Sequence, residues 1–297
     1  MESWAEDPIV VCSEPMTRVA SQMGLADKGI RESAEPGFLQ ISPLEQLSIR
    51  HAFSTRKGGV STPPYHTLNL GFSVGDDPAA VHENRRRYFS ALGLDLSCVV
   101  RVRQVHGNDV LVVNQALAGH ERFPRLLLDD DYFYDAMVTE IPGLSLAIST
   151  ADCLPIFVVD PRRRAVGALH AGWRSSVKCV VEHTLRKMHD AYGTDPADCY
   201  AALGPGIRGC CYEVDEPVIT HIRRACGAWQ DCARPAGEDR WMLDLGHLNI
   251  AMLQEVGLRP DRIFDTELCT ACRSDLFYSY RAEKPTTGRM MSLVSLM

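Results

Sequence analysis

From about residue 41 onward, short apolar runs bounded by turn residues alternate with longer stretches of helical period. In AAVHENRRRYFSALG, Val81, Tyr88, Phe89 and Leu92 recur at helix-like spacing, with Asp77 and Pro78 as a start signal and Gly93 as a stop. VVRVRQVHG and VLVV read as strands separated by a turn around Gly107 and Asn108. Three strand candidates follow closely, DAMVT, LSLAIST and LPIFVVD, then a turn at Asp160 and Pro161 and a fourth strand, AVGALHA. After Gly172 the period changes: Val177, Val181, Leu185, Met188 and Tyr192 share one side of a helix that ends at Gly193. A strand CYAAL, a helix around EPVITHIRRAC, a strand WMLDL, a helix LNIAMLQEVG and short strands near DRIF and FYSYR complete the pattern. Consecutive strands joined by tight turns exclude a purely alternating doubly wound sheet. They predict an α+β fold of mixed β-sheets or a sandwich with flanking helices. Residues 1–40 lack sustained periodicity and contain DKGIRESAEPG, which predicts a poorly ordered N-terminal extension before a single domain spanning 41–297.

The chain has 297 residues, 45% of them hydrophobic, enough for a substantial core. Its 31 basic and 38 acidic side chains give a net charge of -7, which disfavours binding to a nucleic-acid backbone. The RRR triplets at Arg85–Arg87 and Arg162–Arg164 read as a solvated helix face and a solvated turn. No stretch approaches the roughly 20 apolar residues needed to cross a bilayer, and the acidic N-terminus lacks the features of a secretory signal. A cytoplasmic protein without membrane partners is expected. The 11 cysteines are odd in number and irregularly spaced, so they read as thiols, a minority of them chemically active.

Candidate chemistry gathers at predicted strand ends. His106 in RQVHGND, Cys153 in TADCLP and His170 in ALHAGWR are residue types suited to zinc or copper. Two imidazoles and a thiolate leave a fourth position for water, and an open zinc lowers the pKa of that water to about 7. The separations match no short metal motif, so hydrogen-bonded structural histidines are the competing explanation. Gly107, Pro155 and Gly172 flank the three positions and point to shaped turns.

Other motifs carry less. GPGIRG at Gly204–Gly209 has the spacing of a dinucleotide fingerprint, but Pro205 restricts Gly204 and CCYEV follows where a helix should begin. CTAC at Cys269–Cys272 has zinc-like spacing without a second pair arranged as in a zinc ribbon, and reads as structural. Neither HExxH nor H-x-H occurs, which argues against a zincin protease and against a multicopper oxidase. Arg56 and Lys57 in STRKGG, Arg174 in AGWRS, Arg281 in SYR and Arg289 in TTGRMM lie in tight loops and are candidates for binding a phosphate or another anion.

FSTRKGGVS, LNLGFSVGDDPAAVHENR, QVHG, DAMVT, PGLSLAISTADCLPI, HAGWR, CCYEV and TGRMMSL occur in that order. Together they resemble the YfiH-like family, also called the multicopper polyphenol oxidoreductase or laccase-domain family, which includes FAMIN-type purine nucleoside phosphorylases. The resemblance runs from about residue 45 to the C-terminus. It implies a YfiH-like fold and zinc at His106, Cys153 and His170, with copper the less favoured ion. It further implies phosphorolysis of adenosine, inosine, guanosine and methylthioadenosine, together with deamination of adenosine. Arg56 matches the arginine that precedes the family's paired glycines. The sequence departs from the family pattern at Phe133, where an Asp is usual, in GPGIRG, at Ser175 and at Ala282.

For deamination, hydroxide attack at purine C6 is expected, with Asp152 the nearest candidate for moving protons. For phosphorolysis, Arg56 is the expected clamp on the phosphate that attacks C1′. Three alternatives stay open: a Cys153–His hydrolase or amidase acting on a peptidoglycan precursor, a copper-dependent phenol oxidase, and a non-catalytic binding module. The oligomeric state is not specified by the sequence.

Overall fold

The computed structural model describes residues 25–118 and 133–297. Among these, the strands sort into two large sheets and one small one. In spatial order the first sheet comprises Ile30–Glu32, Phe38–Ile41, Ile49–Ser54, Met290–Leu296, Ser145–Thr150 and Val99–Val100. Its pairings are antiparallel except for the last. The second sheet comprises Ile263–Asp265, Tyr200–Leu203, Leu154–Asp160, Ala165–Ala171, Ala136–Thr139 and Val110–Val113. Both of its edge pairs are parallel and its central pairs antiparallel. Glu213–Asp215, Arg240–Leu243 and Ala233–Gly237 form the small antiparallel sheet.

Side-chain alternation shows how the layers stack. Met137, Phe157, Val159, Val166 and Ala168 of the second sheet share a core with Phe53, Leu146, Ile148 and Val294 of the first. The alternate residues Val138, Ile156, Val158 and Leu169 meet Val181, Leu185 and Met188 of helix Val180–Tyr192 on the opposite face. On the outer face of the first sheet, Ala52, Ala147, Met291 and Leu293 lie under Tyr88 and Phe89 of helix Pro78–Ala91. The result is four layers, helix, sheet, sheet and helix: a mixed-sheet α+β sandwich with flanking helices. Strands Leu154–Asp160 and Ala165–Ala171 are buried at every residue because both of their faces are covered, hence their continuous apolar runs. Phe53 and Phe157 stack between the sheets, ring centroids 4.7 Å apart.

Several sequence expectations shift. The helix start is as read, with the Asp77 carboxylate accepting from the Ala79 N–H at 2.9 Å. The helix expected from Val177 is two helices, Trp173–Val177 and Val180–Tyr192, broken at Cys179, whose φ is 61°. Ser145–Thr150 belongs to a different sheet from Ala136–Thr139 and Leu154–Asp160, so the chain crosses between layers twice in this region. FYSYR is not a strand; Ser279 caps the short helix Tyr280–Glu283 instead, its hydroxyl accepting from the Ala282 N–H. The last strand, Met290–Leu296, lies inside the first sheet, between Ile49–Ser54 and Ser145–Thr150. Ile30–Glu32 and Phe38–Ile41, within the expected extension, are strands of the first sheet, because Ile30, Leu39 and Ile41 reach the core between the sheets. Residues 1–24 of that extension lie outside the described residues. No helix among the described residues is long and apolar enough to cross a membrane.

Candidate metal centre

Antiparallel pairing brings three strand ends to one edge of the second sheet. The start of Leu154–Asp160 lies beside the end of Ala165–Ala171, with Leu154 opposite Ala171, and Ala136 pairs with Leu169 at that same end. Cys153 and Asp135 immediately precede two of these strands, and His170 is the penultimate residue of the third. His106 arrives from the first sheet, on the loop that leaves Val99–Val100. Gln104 anchors that loop by pairing twice with the backbone of Ser149, donating to its carbonyl at 2.7 Å and accepting from its N–H at 2.8 Å. The Asp135 carboxylate then gathers the N–H groups of Val105, His106 and Gly107 at 3.1, 3.0 and 2.5 Å. This arrangement sets His106 in the left-handed region at φ 56°.

The three ligand atoms lie within 4.8 Å of one another. Cys153 Sγ is 3.8 Å from His106 Nε2, and the two imidazole centroids are 4.8 Å apart. His170 Nδ1 lies 2.7 Å from Asp135 Oδ1, which fixes the ring and leaves Nε2 for an ion. Gly172 permits the close approach: a Cβ there would fall 2.8 Å from Cys153 Sγ and 3.2 Å from His106 Cδ2. One thiolate and two imidazole nitrogens, one of them backed by a carboxylate, fit zinc or another thiophilic cation with a coordination position left open.

Electrostatics support the same arrangement. Burial alone would raise the Asp135 carboxyl, but hydrogen bonding and charge from His170, with help from the Gly107 and Val105 N–H groups, hold it below its usual range. Burial opposes charge on both Cys153 and His170. Their mutual attraction overcomes it, drawing the thiol down and the imidazole up, with His106 assisting the thiol and Asp135 the imidazole.

The remaining sequence candidates divide. Asp152 is buried beside the centre at φ 88°, its oxygens accepting from the Thr270 hydroxyl and the Arg281 N–H, each at 2.6 Å. Burial pushes its carboxyl up. Two nitrogens of Arg56 are bound within the protein: Nε donates to the His66 carbonyl at 3.0 Å, and Nη1 reaches the Ser274 carbonyl at 2.8 Å and Glu283 at 2.6 Å; Nη2 is buried without a hydrogen-bond partner among the described residues, and the guanidinium lies over the Tyr278 ring. Lys57 is exposed. Arg289 is largely buried where the charges of Cys153 and Asp152 act on it, and it donates to the carbonyls of Thr287 and Gly288. Tyr212 stands among Cys153, Asp152, Arg174 and Arg281, with the Arg281 guanidinium 5.0 Å from its ring centroid. Burial, seconded by the Cys153 charge, pushes its phenol up. Arg174 lies over the ring of Trp173.

Asp135, Gln104 and Tyr212 were not picked out as site residues from sequence. The signal for Asp135 was an acid heading an otherwise apolar strand.

The fold and this edge define a four-layer protein with a candidate His–Cys–His centre where the two sheets meet. The chain belongs to the family described as multi-copper polyphenol oxidoreductase laccase, whose profile matches residues 50–297. It is 39% identical over 263 residues to the purine nucleoside phosphorylase of Deinococcus radiodurans, covering 88% of this chain and 94% of the relative. It is 35% identical over 246 residues to the purine nucleoside phosphorylase YlmD of Bacillus subtilis, covering 82% and 87%. Among solved structures it is similar to the YfiH protein of Bacillus licheniformis, with a TM-score of 0.84, 32% identity and coverage of 90% and 99%. It is also similar to YlmD of Geobacillus stearothermophilus, with a TM-score of 0.83, 31% identity and coverage of 90% and 98%.

Proposed function

We propose that the chain is a zinc-dependent purine nucleoside phosphorylase, acting on adenosine, inosine, guanosine and methylthioadenosine, with adenosine deaminase activity at the same centre. The observation that carries this reading is the His106–Cys153–His170 set oriented by Asp135, in a chain aligned over most of its length with relatives named purine nucleoside phosphorylases. His106, Cys153 and His170 would hold the ion, which supplies Lewis-acid activation of a bound oxygen near neutral pH. Arg289, Arg281 and Arg174 lie on the centre's side and would hold the phosphate as it attacks ribose C1′. Because Arg56 is already paired with Glu283, its part is to hold the Arg56–Tyr278–Glu283 wall rather than to clamp phosphate. Asp152, with its carboxyl raised by burial, remains the candidate for proton transfer to the purine.

Elemental analysis of protein purified without added metal, run with product detection from adenosine, tests the proposal. The expected results are a zinc content that Cys153→Ala lowers by about one ion per chain, phosphate-dependent release of adenine, and phosphate-independent formation of inosine. Metal-free wild-type protein that leaves adenosine untouched would sink it.

A second reading rests on the depressed Cys153 thiol beside two histidines: a cysteine hydrolase or amidase acting on a peptidoglycan precursor. Alkylation separates the two. A zinc-bound thiolate resists iodoacetamide until a chelator is added, whereas a cysteine nucleophile reacts at once and loses activity with it.

A further inference from the structure

The parallel strands Tyr200–Leu203 and Ile263–Asp265 lie side by side and send their following loops past the same edge of the second sheet. The first loop carries Cys210 and Cys211, the second Cys269 and Cys272. Backbone hydrogen bonds knit the loops together: the Gly206 N–H donates to the Leu268 carbonyl at 3.2 Å and the Thr270 N–H to the Gly206 carbonyl at 3.1 Å. A turn in which the Cys211 and Tyr212 N–H groups both donate to the Arg208 carbonyl carries the first pair toward the second. In the other loop, the Arg273 N–H donates to the Cys269 carbonyl at 3.0 Å, closing one helical turn that brings Cys269 and Cys272 to the same side.

Four sulfurs converge as a result. Cys272 Sγ is 3.3 Å from both Cys210 Sγ and Cys211 Sγ, and all four Sγ atoms lie within 4.8 Å of one another. The structure holds them as thiols. We propose that Cys210, Cys211, Cys269 and Cys272 form a tetrathiolate zinc site, separate from the His106–Cys153–His170 centre.

The spacing carries the argument. Sulfurs about 2.3 Å from a tetrahedral zinc sit about 3.8 Å from one another, inside the range that these four occupy. A disulfide would need a separation of about 2.05 Å. Arg208, buried and bound to Asp265 at 2.6 and 2.8 Å, lies two residues before Cys210 and brings a positive charge to the same loop. On binding, the thiol protons leave to solvent.

Four protein ligands close the coordination sphere, so this ion would serve structure. It would tie Tyr212, next to Cys211, to the segment whose Thr270 hydroxyl and Arg281 N–H hold Asp152. A wall of the first centre would then be fastened by the second.

The test uses full-length protein prepared under reducing conditions without added metal, with the first centre emptied by Cys153→Ala and His170→Ala. About one zinc per chain is expected to remain, and cobalt replacing it should show tetrahedral d–d bands with sulfur-to-cobalt charge transfer. Adding Cys272→Ser, at an exposed position, should weaken zinc at least about tenfold in competition with a chelator. Wild-type protein, which needs no substitution to fold, should bind two cobalt ions, one carrying the tetrathiolate spectrum. A folded double variant that holds neither zinc nor cobalt would overturn the proposal. So would unchanged zinc affinity in Cys272→Ser, or an intact mass showing a disulfide among the four in place of metal.

Discussion

Asp135 Oδ1 lies 2.7 Å from His170 Nδ1, while the same carboxylate accepts from three consecutive N–H groups on the loop that carries His106. One side chain thus orients two of the three candidate ligands. Asp135→Asn should lower metal affinity about 10- to 100-fold. The amide keeps one hydrogen bond but loses the charge that selects the His170 tautomer. Chelator competition measures the effect, and unchanged affinity would show that the carboxylate does not orient the centre.

Gly172 gives a steric version of the same test. Because an added Cβ would meet Cys153 Sγ at 2.8 Å, Gly172→Ala should displace the thiolate. Metal content and nucleoside turnover should fall together, while circular dichroism remains that of the wild type.

Arg56 and Arg289 should separate in kinetics. Arg56→Ala leaves Glu283 without its cation and should cost about 3 kcal/mol of stability in urea unfolding. Arg289→Ala should instead raise KM for phosphate, with metal content unchanged. A raised phosphate KM for Arg56→Ala at unaltered stability would return the clamp role to Arg56.

His51 should make stability depend on pH. It is buried, accepts from the Ile41 N–H at 2.7 Å through Nε2, and burial lowers its pKa to about 4. The unfolded chain therefore takes up a proton first as pH falls below about 6.5. The stabilisation from neutral His51 is full above that value and is lost progressively down to about pH 4, amounting to about 3 kcal/mol. Urea unfolding at pH 7 and pH 4.5 should show a larger loss for wild type than for His51→Gln, whose side-chain oxygen can still accept from Ile41.

The three metal-ligand candidates were legible because His and Cys at the ends of apolar strands break the local pattern. Asp135 was harder to see: its partner His170 is 35 residues away, and only the pairing of Ala136 with Leu169 brings them together. Arg56 sits beside glycines that suit an anion, yet its Nη1 is taken by Ser274 and Glu283, 218 and 227 positions away. Met290–Leu296 is apolar on both faces because layers cover it on both sides, so it shows neither a strand nor a helix period. Cys269 and Cys272 announced a metal-like spacing. Their complement, the adjacent Cys210 and Cys211, is delivered by a parallel strand pair that no local pattern reveals.

Gln104 fastens the loop of His106 to Ser149 in one sheet, while Cys153 and His170 belong to the other. A cation held by all three therefore acts as a rivet through the sandwich, and the chain cannot shear its layers apart without releasing it. By mass action, each tenfold rise in free metal above the dissociation constant should then deepen the folded state by about 1.4 kcal/mol. With that centre loaded as proposed, the unfolding temperature would become a gauge of the metal supply around the protein.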